Sequence, residues 1–143
     1  MYYGQVGDGD VDHSGFARPE KLGNQCRPAF KCDATHPCTE PAANTAAALA
    51  SGAQYFHARG DTAYAATLWS KAKSLMVYAD TYRGSYASSI QDVTSFYNSH
   101  SGFYDELIGA WATLAGVANY FGDTDHDYVG KAMVSVLLKI QKG

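Results

Sequence analysis

A chain of 143 residues, 46% hydrophobic and 17% charged, has the size of one domain and enough apolar side chains for one core. Its net charge of −3, with 11 Lys and Arg scattered from Arg18 to Lys142, forms no basic stripe, so nucleic acid is excluded as a partner. No stretch approaches the ~20 apolar residues of a membrane helix, and Met1-Tyr2-Tyr3-Gly4 lacks the basic and apolar regions of a secretion signal, so no membrane role is expected.

Residues 1–40 hold eight Gly and Pro and no helical period, which predicts loop. The stretch also carries Tyr2, Tyr3, Phe16, Leu22 and Phe30, too many large apolar side chains for disorder, so it is expected to be ordered against a surface. Cys26, Cys32 and Cys38 are each separated by five residues, and an odd count allows at most one internal disulfide. That spacing is too wide for the usual zinc pair, so a zinc site with His36 is not expected. Asp8, Asp10 and Asp12 imitate the first, third and fifth positions of a calcium-binding EF-hand loop. His13 and Pro19 then stand where that loop needs Gly and Glu, and the motif fails.

From Thr39 the texture changes. Thr39 or Glu40 is read as a cap and Pro41 suits a first turn. The Ala-rich run Ala42–Ala58 has the best helix propensity, and Gly60 ends it. Asp61 or Thr62 opens a second helix, whose Tyr64, Leu68, Ala72, Leu75 and Ala79 recur at helical spacing as a buried stripe, and which stops near Tyr82-Arg83-Gly84. A short helical piece is expected near Ser89–Phe96, then a third helix from Phe103 to Tyr120 closed by Gly122. Asp123 or Thr124 opens a fourth, reaching Lys139 through Val129, Met133, Val136, Leu137 and Ile140. Asp123, Asp125 and Asp127 read as a cap cluster. No strand is predicted. Short connections make consecutive helices antiparallel, so the expected class is all-α, with αα-hairpins (41–143) behind a long ordered N-terminal loop (1–40).

A nucleophile elbow, a phosphate loop and a His-Glu-x-x-His pair are absent, and the three Glu residues suggest no general acid by pattern, so no catalytic residue is nominated. The stretch Gln5-Val6-Gly7-Asp8-Gly9-Asp10-Val11-Asp12-His13-Ser14-Gly15-Phe16-Ala17-Arg18-Pro19-Glu20 nevertheless resembles Q-V-G-D-G-x-x-D-H-x-x-W-G-R-P-E of glycoside hydrolase family 9, the inverting cellulases. Four more blocks follow in that family's order. They are Arg27-Pro28-Ala29-Phe30-Lys31, Thr45-Ala46-Ala47-Ala48-Leu49-Ala50, Ala79-Asp80-Thr81-Tyr82-Arg83-Gly84, and the run from Phe96 to Leu107, which is similar to Y-Y-N-S-x-S-G-Y-x-D-E-L.

The resemblance implies a partial (α/α)6 barrel, secreted, with β-1,4-glucan as partner and the remainder of the barrel outside this chain. In such chemistry one carboxylate activates water while a carboxylic acid protonates the leaving oxygen. The family's Asp pair and acid Glu match nothing here, so the chain is expected to be an internal fragment of an endoglucanase, inactive alone. By matched position His13, Phe16 and Tyr97 become substrate-binding candidates, joined by His100, which stands where the family commonly carries an aromatic. Ser101, Gly102, Asp105 and Glu106 match positions at which some members hold calcium, and an ordinary acidic helix start remains the alternative. Gly15, Ala17, Asn44 and Gly109 depart from the family pattern. A Cys32–Cys38 staple is expected in a loop that the family does not generally have. The other functional reading is a non-catalytic helical carbohydrate-binding or interaction module of the same fold. Either way, helix faces meant for missing neighbours should meet water.

Overall fold

The computed structural model describes residues 2–21, 23 and 26–142, so Leu22 lies outside the described residues. Four long helices dominate. They are α2 (Thr39–Ala58), α3 (Thr62–Thr81), α5 (Tyr104–Phe121) and α6 (Tyr128–Lys142). Helices α2 and α3 form one antiparallel hairpin and α5 and α6 a second, and α5 packs against α2, giving part of an α/α barrel.

Alanine explains the closeness of the first hairpin. Ala42, Ala43, Ala46, Ala50 and Ala53 of α2 are all fully buried, and side chains this small let helices approach with little void between them. The larger volume comes from Met76 on α3 and from Leu107, Trp111 and Leu114 on α5. Full burial of each such side chain contributes about 1.5–3 kcal/mol.

Several local expectations need correction. The buried stripe of α3 is Ala65, Trp69, Ala72, Met76 and Ala79; Leu68 and Leu75 sit at its flank, and Tyr64 is exposed. The shift follows from Trp69, which can be buried because its Nε1–H donates to Asp123 Oδ2 at 2.7 Å. Neither Thr39 nor Glu40 caps α2; Cys38 occupies that position, and both side chains instead accept backbone N–H bonds from residues 84 and 86. The short helical piece arrives earlier, as α4 (Tyr86–Ser89) followed by a 3-10 turn at Gln91–Val93. Asp61 caps α3 as expected, and α5 ends on Gly122 at φ +64, a conformation that costs other residues a Cβ clash.

Helix α6 begins at Tyr128 instead of near Asp123. Asp123 is committed to Trp69 and Lys73, and Asp127 supplies the cap by accepting from Gly130 N–H at 2.9 Å. Its Val129, Met133, Leu137 and Ile140 are 60–71% exposed, a continuous apolar stripe meeting water, while Tyr128 and Ser135 face inward.

The N-terminal quarter is more than loop. Strand β1 (Tyr2–Val6) pairs antiparallel with β2 (Ala29–Cys32), with a bulge between Tyr3 and Gln5, and a five-residue helix α1 (Gly9–His13) follows β1. Cys32 and Cys38 are joined, which ties β2 to the start of α2, and Cys26 is free and exposed.

Candidate functional site

An open groove of about 710 Å³ lies at the end of the hairpins where α2 and α5 begin. One wall comes from β1 and α1, the floor from the first turns of α2 and α5, and the other wall from residues 92–101. Asp8 caps α1 by accepting from Val11 N–H at 2.9 Å, and Asp12 is paired with Arg27 at 2.7 Å. The Arg27 hydrogen bond holds the Asp12 carboxyl below its usual range. The acidic run that imitated an EF-hand thus makes a short helix and fastens it.

Helix α1 delivers His13 to the groove. Its Nδ1 lies 2.7 Å from the Gly9 carbonyl oxygen, which can only accept, so in the neutral ring Nδ1 carries the proton and Nε2 is left as an acceptor. The imidazole stacks on Phe96 with ring centres 3.9 Å apart and planes at 10°. Gly9 makes this possible, because a Cβ there would stand 2.7 Å from the Phe96 ring. Tyr97, 63% exposed, lies 6.5 Å from His13 ring to ring, and its backbone carbonyl accepts from the Tyr86 hydroxyl. His100 lines the same groove. Phe16 does not; its side chain is fully exposed and outside the lining.

The floor is acidic. Glu40 accepts from Tyr86 N–H through Oε2 at 2.9 Å, while its Oε1 is buried without a partner, as is Oε2 of Glu106. Burial, then the neighbouring Asp105 and Glu40, push the Glu106 carboxyl up. Burial and Glu40 likewise raise the Tyr86 phenol. Sequence reasoning read Glu40 only as a cap; its place in the groove depends on α4, 46 residues away along the chain, arriving beside it.

The four calcium candidates are adjacent, and all but Glu106 are already engaged. Ser101 Oγ donates to Asp105 Oδ2 at 3.4 Å, Gly102 O accepts from Ser99 Oγ at 2.8 Å, and Asp105 Oδ1 pairs with Lys139 at 3.3 Å. Oxygen donors are the right kind for calcium, which takes six to eight, but this set is too small. Among the described residues no group of three or more His, Cys, Asp or Glu could hold a metal ion. A second hollow, about 740 Å³, between Tyr2 and Tyr82 contains none of the candidate residues.

Residues 1–136 match glycosyl hydrolase family 9. The chain is similar to Endoglucanase 4 of Bacillus sp. (strain KSM-522), 44% identical over 135 residues that cover 94% of this chain and 20% of that protein. It is similar to Endoglucanase B of Cellulomonas fimi, 44% identical over 129 residues, 88% of this chain and 12% of that protein. Among solved structures, the endoglucanase of the termite Nasutitermes takasagoensis superposes with a TM-score of 0.82 at 39% identity, over 94% of this chain and 29% of the termite chain. The chain spans about a fifth or less of the length of these curated relatives.

Proposed function

Because the chain belongs to glycosyl hydrolase family 9, we propose that it forms one wall of the β-1,4-glucan cleft of an extracellular endoglucanase, supplying sugar contacts but no catalytic carboxylate. The observation that carries this reading is the meeting of His13, Tyr97 and His100 in one groove, from segments more than 80 residues apart. Pyranose rings present C–H faces that stack on aromatic rings, while imidazole nitrogens and phenol hydroxyls bond the sugar hydroxyls. Residues 1–40 supply one cleft-facing wall and residues 41–143 the helical support, from which residues 92–101 rise as the other wall. Phe16, three residues beyond His13, is an outlying platform for the same glucan.

Ser101, Gly102, Asp105 and Glu106 are one side of a calcium shell whose remaining ligands lie outside this chain. The exposed stripe of α6 fits the absence of barrel neighbours, and among the described residues no helix is long and apolar enough to cross a membrane.

The test is a cellopentaose titration of the wild-type chain and of Tyr97→Ala and Phe16→Ala variants, followed by NMR. Loss of one stacking platform should weaken binding by up to about tenfold, the equivalent of ~1.4 kcal/mol. Identical affinities would remove that residue from the site. The purified chain should hydrolyse carboxymethylcellulose no faster than buffer does, and clear turnover would overturn the non-catalytic part of the reading.

A further inference from the structure

One carboxylate in the groove is used neither by the matched motifs nor by the sugar contacts proposed above. Oδ2 of Asp92 accepts from the Gly9 backbone N–H at 2.9 Å and from Nε2 of Gln5, which also donates to the Gly7 carbonyl at 3.0 Å. Gly9 is the first residue of α1, and its carbonyl is the acceptor that orients His13. Phe96, four residues after Asp92, supplies the ring on which Gly9 rests and His13 stacks.

Resting on the reading of His13 as a sugar contact, we propose that Asp92 is the positioning residue for the His13 imidazole. A helix of five residues is far too short to hold itself in water, because nucleation consumes more order than one or two hydrogen bonds return. Something outside α1 must therefore seat it. Asp92 does so at the point that matters, since the residue it grips by the N–H is the one that grips His13 by the C=O. One carboxyl oxygen accepts both bonds and so ties β1 and α1 to the same point, and Phe96 then fixes the ring plane. The outcome is an imidazole with one tautomer, one plane and Nε2 turned to the groove. Asp92 itself acts through His13, not on the sugar.

The test is NMR of the 15N- and 13C-labelled full chain, reading the His13 tautomer and the ring-current shift that Phe96 imposes on its ring protons. In the wild type, His13 should appear as the Nδ1–H tautomer with strongly displaced ring protons. Asp92→Ala should lose most of that displacement and admit the other tautomer, while Asp92→Asn, which keeps an acceptor oxygen, should stay closer to wild type. Gln5→Ala, which removes a half-buried amide donating to Asp92 and to the Gly7 carbonyl but leaves the Gly9–Asp92 bond in place, should move His13 the same way by less, and it carries the test if Asp92→Ala fails to fold. Unchanged His13 signals in a folded Asp92→Ala chain, or in Gln5→Ala where the alanine variant at 92 is unfolded, would overturn the proposal. Equal displacement in the Asn and Ala variants would overturn it too. Failure of the sugar-contact reading is separate: cellopentaose would then leave the wild-type His13 signals unmoved, whatever Asp92 does.

Discussion

The α2–α3 hairpin and the segment from Tyr2 to Cys38 are held by opposite kinds of force. The hairpin is joined by buried alanines and a few large apolar side chains, with a polar clasp where Trp69 and Lys73 reach Asp123 and with Thr39 and Glu40 accepting from the N–H groups of residues 84 and 86. The N-terminal segment has only a small core, in which Cys32 and Cys38 pack with Ala87, Ile90 and Val93. It is fastened by a short sheet, a disulfide, the Arg27–Asp12 pair and the bonds to Asp92. Burial is non-directional and additive over area, whereas hydrogen bonds fix orientation while contributing only about 1 kcal/mol net each. The hairpin thus provides the stability and the N-terminal segment the aim.

The contrast is broken most strongly from the hairpin side. Met76→Ala, which hollows a fully buried site on α3, should cost ~2–5 kcal/mol in denaturant unfolding and take the N-terminal segment down with it. The polar clasp comes next. Burial alone would raise the Asp123 carboxyl, but bonds from Lys73, from the Asp125 N–H and from Trp69 outweigh it and hold it down to about 2 against an ordinary 3.8. A carboxyl depressed by folding stabilises the fold fully above its unfolded value and loses that contribution as pH falls through the folded one. Stability should therefore drop by ~2 kcal/mol between about pH 4 and pH 2, and Asp123→Asn should flatten that part of the pH profile.

Reducing Cys32–Cys38 frees a loop of only a few residues, so the loss is about 2 kcal/mol by chain-entropy reckoning. Hydrogen exchange should show it in β1 and β2, with α2 and α3 amides still protected. Smallest is Arg27→Ala. Its pair with Asp12 is exposed, so the denaturation midpoint should not move measurably, while the ring signals of His13 next to Asp12 shift. A large loss of stability in that variant would mean that the N-terminal segment bears weight the comparison denies it.

Much of the helical frame is legible in the residues alone. The ends of α2, α3 and α5 fall within a few residues of the positions marked by Pro41, Gly60, Asp61 and Gly122, because propensity, capping and chain reversal are local effects. The sheet is not legible. Tyr2-Tyr3-Gly4-Gln5-Val6 shows no alternation and carries a bulge, so its strand character depends on a partner more than 20 residues away. The start of α6 is not legible for a related reason: any of three aspartates could cap it, and only packing shows that Trp69 and Lys73 claim the first. In the groove, the matched blocks pointed to His13, Tyr97 and His100, whereas Glu40 and Asp92 carry no local signal of their place there.

The order of amino acids by itself therefore determined where the long helices run, that the chain resembles one family, and which ring-bearing residues were candidates for sugar. Which face of α3 is buried, where α6 begins, the pairing of β1 with β2 and the gathering of His13, Phe96 and Asp92 were decided only by tertiary structure. Helix propensity and caps act over three or four neighbours along the chain. Burial of Trp69, strand pairing and a carboxylate gripping a helix 83 residues away depend on which surfaces meet.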